Sequence, residues 1–426
     1  MLILAAMLCL TACHDDDNNT TVKTSRTVMV YMAGENNLTK SGIDERYLHS
    51  DLEEIIAGST TLAANQRMLV FVDSLNTDND PNSKPYIIEV KNGQATHLYD
   101  FDTDFYSCDP AMFRQILQQM MTFAPADSYG LILWGHASGW IVESDTIAQA
   151  RQQRAYGIDY GTDASKSNNS KWMNITQMAK ALEGLPKMEF IFADCCNMIS
   201  AEAGYELRQA TNYLIGSPAE IPGDGAPYDK ITPYLFKDGS EMYRGIIDTY
   251  YDYYLESFKY SALDGYSIPL SAIDTRYMAT LAQATHDVLE QLTDAYPEYP
   301  IFPELQAMGL VFYLYVDNYG ITPSPVMYDM RAFVKTLAPS DVFQKWDATF
   351  QQAVPYYRMS MRWLTIYDNQ EYAFYKFNKD AEMNGCVSMY IPMMLDWYLY
   401  SEYKYNDTFN NYGWNRIIDW SRFGWN

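Results

Sequence analysis

Histidine and cysteine are the side chains whose type and placement could do chemistry in this chain. Trp134-Gly135-His136-Ala137-Ser138-Gly139-Trp140 follows one apolar run, and Asp194-Cys195-Cys196-Asn197-Met198 follows another. A cysteine thiolate is a strong nucleophile, and an imidazole moves protons near neutral pH. Glycines beside the histidine let backbone N–H groups approach a reacting carbonyl and hold its oxyanion. Alone, each residue says little. A buried cysteine is usually inert, and a lone loop histidine is more often a packing residue. The pairing at two strand ends carries the reading.

Competing chemistries lack their signatures. HExxH, GxSxG and Walker A patterns are absent from the sequence, and Gly223-Asp224-Gly225 follows no phosphate-loop pattern. The five histidines show no zinc-pair spacing and there is no CxxC, so no metal site is expected. His49, His97 and His286 fall in helix or strand contexts and read as structural, and Cys108 and Cys386 as core fillers.

The elements that must position the pair are short and apolar. Thr27–Met32, Met68–Asp73, Tyr129–Trp134, Met188–Ala193 and Tyr213–Gly216 read as buried strands. Helical spacing between them covers Ile43–Ala57, Pro110–Phe123, Asn174–Leu185 and Ile199–Gln209, and Asn92-Gly93 marks a hairpin. Alternating strands and helices predict an α/β fold with a mostly parallel sheet covered on both faces. In such sheets functional residues gather at the carboxyl ends of strands, where His136 and Cys196 lie. From about residue 233 the pattern becomes mainly helical, at Glu241–Phe258, Arg276–Tyr296, Tyr328–Leu337 and Val342–Tyr357. Strands remain at Tyr266–Ile273, Phe374–Phe377 and Cys386–Ile391, giving an α+β second region packed on the first.

The start of the chain reads as an address. Met1–Leu10 is apolar but far short of the ~20 residues a membrane-spanning helix needs, as in a signal peptide. Leu10-Thr11-Ala12-Cys13 resembles a bacterial lipobox, which implies cleavage before Cys13 and its lipidation. The alternative is an ordinary signal peptide with a chance cysteine. His14-Asp15-Asp16-Asp17 and the polar residues after it predict a solvated tether. An acidic cluster behind a lipidated cysteine also resembles the surface-export signal of lipoproteins in Bacteroidetes, implying an outer-membrane anchor at the cell surface. The expected division is 1–12 signal peptide, 13–26 tether, 27–235 first domain and 236–426 C-terminal region.

Composition sets the outer bounds. The chain has 426 residues, 48% hydrophobic and 20% charged, which fits a globular protein with an ample core. The net charge of −24 excludes nucleic acid as a partner and leaves basic peptides open. Tyrosine is in excess, at 37 against 18 phenylalanines, and concentrates after about Tyr228.

Together these motifs resemble the clostripain family of cysteine peptidases. The family pattern is W-x-H-G-x-G after one strand, and D-A-C with Met two residues on after another. Here they are Trp134–Gly139 and Asp194–Met198. The resemblance extends to Tyr31–Leu38, Ser217–Gly225 and Gly385–Pro392. It implies a caspase-like three-layer α/β sandwich in the first domain, 27–235. It also implies Cys196 as nucleophile, His136 as acid/base, and the backbone N–H groups of Ala137 and Cys196 as the oxyanion hole. Ala137 stands where the family has glycine, and Cys195 where it has alanine. A disulfide between Cys195 and Cys196 would silence the nucleophile.

Family preference for Arg or Lys before the scissile bond implies Asp194 and Asp224 in a basic-residue pocket. Asp194 alternatively caps the helix that follows, and Asp224 alternatively serves a turn. The polar stretch Glu143–Lys171 is a natural cleavage loop, and the resemblance implies self-cleavage there, after Arg151 or Arg154. No cofactor is required. Calcium dependence occurs in the family, but no Asp-x-Asp-x-Asp loop here predicts it. The implied partners are peptide substrates and, through the anchor, a membrane, with the chain a monomer. The competing reading is a surface binding lipoprotein on a retired peptidase fold, favoured by Ala137 and Cys195.

Overall fold

The fold was analysed in a computed structural model. The residues described are 23–39, 47–75, 83–141, 156–161, 170–261, 264–295, 310–318, 321–360, 362–367, 370–376, 383–391 and 411–420.

A nine-stranded sheet runs through the molecule. Its first strand, β1 (Arg26–Gly34), is buried along its whole length, as expected of a continuous apolar run with layers on both faces. β1 pairs in parallel with β2 (Gln66–Ser74) on one side and β5 (Ser128–Gly135) on the other. β3 (Tyr86–Lys91) and β4 (Gln94–Asp100) extend the β2 side as a hairpin. Its turn puts Asn92 and Gly93 at φ 51° and 73°, as the Asn-Gly signal requires. β6 (Tyr156–Asp159) and β7 (Lys171–Met173) form a separate two-stranded sheet. β8 (Met188–Asp194) and β9 (Thr211–Gly216) continue the parallel array beyond β5. β10 (Leu270–Asp274) then pairs antiparallel with β9.

Alternation along β1 divides the core. Val28, Val30 and Met32 face one layer, with Leu48 and Ile55 of α1 (Tyr47–Gly58). Met29, Tyr31 and Ala33 face the other, with Phe113 and Ile116 of α2 (Pro110–Phe123). Asp109 caps α2 by accepting from the Ala111 and Met112 amides. α3 (Ile175–Leu182), α4 (Ala201–Glu206) and α7 (Met278–Ala295) share the α2 side. α5 (Tyr228–Ile231) and α6 (Gly239–Ser257) share the α1 side. The result is the caspase-like α/β sandwich. Among the described residues no helix is long and apolar enough to cross a membrane.

Later elements depart from the sequence reading in instructive ways. β11 (Phe312–Asn318), β12 (Ile321–Asp329) and β16 (Ser388–Met389) make a small sheet. Tyr328 therefore belongs to a strand, and Asp329 caps the helix that starts at Met330 by accepting from Ala332 N. The helix expected over Val342–Tyr357 ends at Ala353. Pro355 cannot continue it, and Tyr356–Arg358 instead forms β13, pairing with β10 at the sheet edge. β14 (Arg362–Tyr367) and β15 (Gln370–Lys376) form a further hairpin. The central sheet thus draws strands from both sides of residue 235.

Candidate functional site

The strand order places the site. The chain passes from β1 to β2 on one side, then returns to lay β5 on the other, so strand order reverses between β1 and β5. A parallel sheet opens a crevice at such a switch point, at the carboxyl ends of its strands. Asn36 and Asn37 follow β1 there, and His136 follows β5. Trp134 of β5 is level with Asp194 of β8. His136 and Cys196 each lie two residues further, so adjacent strands deliver them to one edge.

Both loops are fixed by backbone packing. At Gly135 (φ 144°) a Cβ would lie 2.9 Å from the Ala33 carbonyl. At Gly139 (φ 64°) it would lie 2.2 Å from the Asn197 carbonyl, so the histidine and cysteine loops touch through a glycine. Tyr412 donates to the Trp140 carbonyl at 2.8 Å, bracing the histidine loop from the end of the chain. His136 Nε2 lies 2.8 Å from Asn37 Oδ1, which also accepts from the Tyr160 hydroxyl at 3.3 Å. With Oδ1 accepting, Nε2 carries the hydrogen and Nδ1 is the basic nitrogen. Ala137 bridges to Tyr156. That bridge runs through the His136 carbonyl, which accepts from Gly157 N at 2.8 Å, rather than through the Ala137 N–H. Ala137 is not among the positive-φ residues, so alanine fits here without left-handed strain.

The cysteine loop is held against the segment after β9. Asn197, at φ 59°, donates from N to the Ala219 carbonyl at 2.9 Å and from Nδ2 to the Pro218 carbonyl at 3.0 Å. Ser388 N donates to the Ile199 carbonyl at 3.1 Å, so the late strand also braces this loop. Cys196 is part-exposed, and its Sγ accepts from Ile221 N at 3.4 Å. Desolvation, then the nearby Glu220 carboxylate, push its thiol up to about 12, so the resting group is a protonated thiol. Cys195 is buried in the α2-side core, and both cysteines are free thiols.

Asp194 is 3% exposed. Its Oδ2 accepts from Tyr228 Oη at 2.7 Å and Ala226 N at 3.0 Å, and its Oδ1 from Tyr250 Oη at 2.9 Å. It does not cap α4, because Ser200 does so by accepting from Ala203 N at 3.1 Å. Asp51 of α1 lies beside it and accepts from Trp134 Nε1 at 2.5 Å. Burial, reinforced by Asp194, pushes Asp51 up to about 9. Gly225 sits against both carboxylates: a Cβ there would lie 2.7 Å from Asp51 Oδ2 and 2.8 Å from Asp194 Oδ2. Tyr254 donates to the Gly225 carbonyl at 2.9 Å. Asp224 is exposed at the tip of this loop. Asp51 and the three tyrosines were not anticipated as site residues. The tyrosine excess, with Tyr250 and Tyr254 one helical turn apart, is the signal that could have found them.

A second acidic group lies at the same edge of the sheet. Glu35, Asp73 and Asp159 are all buried, with one oxygen of each within 4.8 Å of the others. Cys13, Arg151 and Arg154 lie outside the described residues. His49 is exposed on α1, His97 meets Asp100, and His286 meets the Ile418 carbonyl.

The sequence pattern of the clostripain family matches residues 30–425. The chain belongs to the clostripain family. It is a cysteine protease, and this family's chemistry requires no cofactor. Solved structures agree with the fold. A secreted cysteine protease from Bacteroides thetaiotaomicron, in complex with an irreversible peptide inhibitor, is 26% identical with a TM-score of 0.72, over 93% of this chain and 99% of its own. An inactive zymogen protease from Parabacteroides distasonis is 23% identical with a TM-score of 0.71, over 93% of this chain and 98% of its own. No curated protein matches the chain.

Proposed function

We propose that this clostripain-family chain is an endopeptidase that cleaves after Arg or Lys through a Cys196–His136 dyad. The observation that carries the reading is the level pairing of Trp134 with Asp194, which delivers both loops to the switch-point crevice. The proton on Cys196 Sγ passes to His136 Nδ1 as sulfur attacks the carbonyl carbon. The N–H groups of Ala137 and Cys196 receive the oxyanion. His136 then returns the proton to the leaving amine, and water hydrolyses the thioester, releasing the acid and restoring the thiol. Asn37 keeps the imidazole in the tautomer that accepts at Nδ1.

Asp224, exposed at the loop tip, would meet the basic side chain of the substrate. Asp194 lies beneath it, and its charge and bonds support that loop. The peptide inhibitor held by the Bacteroides relative supports peptide substrates for this chain as well. In the same proposal, activation follows self-cleavage after Arg151 or Arg154, and a lipid on Cys13 holds the enzyme at the outer-membrane surface, where it acts as a monomer.

A fluorogenic peptide with Arg at the cleaved position tests the reading. Turnover by wild type should exceed that of Cys196→Ala by at least ~10³-fold, and a neutral residue replacing Arg should lower kcat/KM by ~10²-fold or more. Intact mass should show a break after Arg151 or Arg154 in wild type and none in Cys196→Ala. Cys13→Ala should move the protein from the membrane fraction to the soluble one. Turnover that survives Cys196→Ala would overturn the dyad.

A further inference from the structure

We propose that Glu220 holds the peptide main chain beside the nucleophile, its free carboxylate oxygen accepting the N–H of the substrate residue whose carbonyl Cys196 attacks. This role rests on the Cys196–His136 dyad. Glu220 is 8% exposed, and among the described residues its Oε2 has no hydrogen-bond partner. Burying such an oxygen without a donor is costly, and an ionised carboxylate still more so. Burial alone pushes the carboxyl up to about 7, with no donor to draw it back.

The backbone on both sides of Glu220 is pinned to the cysteine loop. Before it, the Ser217 carbonyl accepts from Ile199 N at 3.0 Å, and the Pro218 and Ala219 carbonyls accept from Asn197 at 3.0 and 2.9 Å. After it, Ile221 N donates to Cys196 Sγ at 3.4 Å. Glu220 stands between these anchors, and after desolvation its carboxylate is the largest influence raising the Cys196 thiol. The free oxygen therefore serves the reaction site, and the donor it lacks is one that a substrate brings.

The chemistry of a peptide says which donor that is. In the dyad mechanism the carbonyl oxygen goes to the Ala137 and Cys196 N–H groups, and the leaving nitrogen goes to His136. The residue before the cleaved bond then offers two N–H donors, its main-chain amide and its basic side chain. The amide nitrogen is two bonds from the carbon that sulfur attacks, whatever the side chain. Glu220 is one residue from the Ile221 amide that touches the thiol, so it suits the group nearest the reacting carbon. Asp224 lies further along the same segment at the exposed tip, and suits the far end of a long basic side chain. A carboxylate acceptor in a buried site makes the stronger, charge-assisted hydrogen bond, and so fixes the carbonyl for attack.

The test pairs two fluorogenic peptides with Arg before the cleaved bond. In the second, oxygen replaces the main-chain N–H of that Arg, so that an ester links it to the preceding residue. Full-length wild type should cleave the amide peptide with kcat/KM ~10–100-fold higher, the range for losing a hydrogen bond to a charged group. Glu220→Leu and Glu220→Ala should each cleave the two peptides within about threefold of one another, yet keep the wild-type preference for Arg over a neutral residue. Both should react with iodoacetamide at Cys196 no more slowly than wild type, because that reagent carries no peptide chain to hold. Glu220→Gln, of the same shape but with a neutral acceptor, should lower the amide preference, and it decides the matter where the apolar variants do not fold. An amide preference unchanged in any of the three variants would overturn the proposal. So would a wild-type ratio below about threefold, or a loss of Arg preference with the amide preference intact, which would assign the carboxylate to the side chain. Failure of the dyad reads differently, as turnover that survives Cys196→Ala.

Discussion

Two groups of buried acids sit at the carboxyl edge of one sheet, and they are satisfied in opposite ways. Asp194 and Asp51 are surrounded by donors: two tyrosine hydroxyls, a backbone amide and an indole. Glu35 and Asp73 each keep an oxygen with no donor, and only Asp159 beside them is bonded on both oxygens. The contrast shows two solutions to burying carboxylates. The first is self-contained and ties α1, α5 and α6 to the loop that carries Asp224. The second leaves one oxygen of Glu35 and one of Asp73 without a donor.

Breaking the donor-rich group should give the largest effect. Asp194→Ala strands the Tyr228 and Tyr250 hydroxyls and the Ala226 amide, and should cost at least about 3 kcal/mol in urea unfolding, at ~1–3 for each of the three groups. It should also lower cleavage after Arg more than cleavage after neutral residues.

Asp51 also makes the donor-rich group sensitive to pH. Its folded-state value of about 9 stands above the usual 3.8, so folding takes up a proton. The stability this gives is full below the unfolded value and is lost as pH rises toward the folded one. Asp51→Asn keeps an acceptor for Trp134 and removes that loss. Urea midpoints at pH 5, 7 and 9 should favour the variant by a margin that grows with pH.

The donor-poor group should respond more weakly. Asp73→Asn should shift stability by no more than ~1 kcal/mol, and toward greater stability, because a neutral amide replaces an unpartnered carboxylate oxygen. A loss as large as that of Asp194→Ala would erase the distinction between the groups. The smallest effect is at Glu220. Its charge adds to the push on Cys196, so Glu220→Gln should move the midpoint of thiol alkylation by iodoacetamide to lower pH by a fraction of a unit.

How much of this was readable in advance follows from where each signal lies along the chain. The parallel core was legible because β1, β5 and β8 are unbroken apolar runs. The placement of His136 and Cys196 just past the ends of neighbouring strands was legible because each follows such a run beside distinctive neighbours. β13 was not, since Tyr356–Arg358 extends a helical spacing and only Pro355 marks the break. β6 and β7, of four and three residues, are too short to show a period. Asp51 looks like an ordinary acid on an amphipathic helix until Trp134 turns its indole toward it. The Glu35, Asp73 and Asp159 group has no sequence signature, because three separate elements bring it together. That Ala137, standing where the family has glycine, avoids the left-handed region could not be read from the sequence.

In the proposed mechanism Cys196 is the reactive thiol and His136 activates it. A peptide ending in Arg and carrying a thiol-reactive group, followed by digestion and mass spectrometry, tests this most directly. One adduct should form, on Cys196, and His136→Ala should slow it by ~10²-fold or more. An adduct on Cys195, Cys108 or Cys386 instead, or labelling of Cys196 at an unchanged rate in His136→Ala, would overturn the dyad.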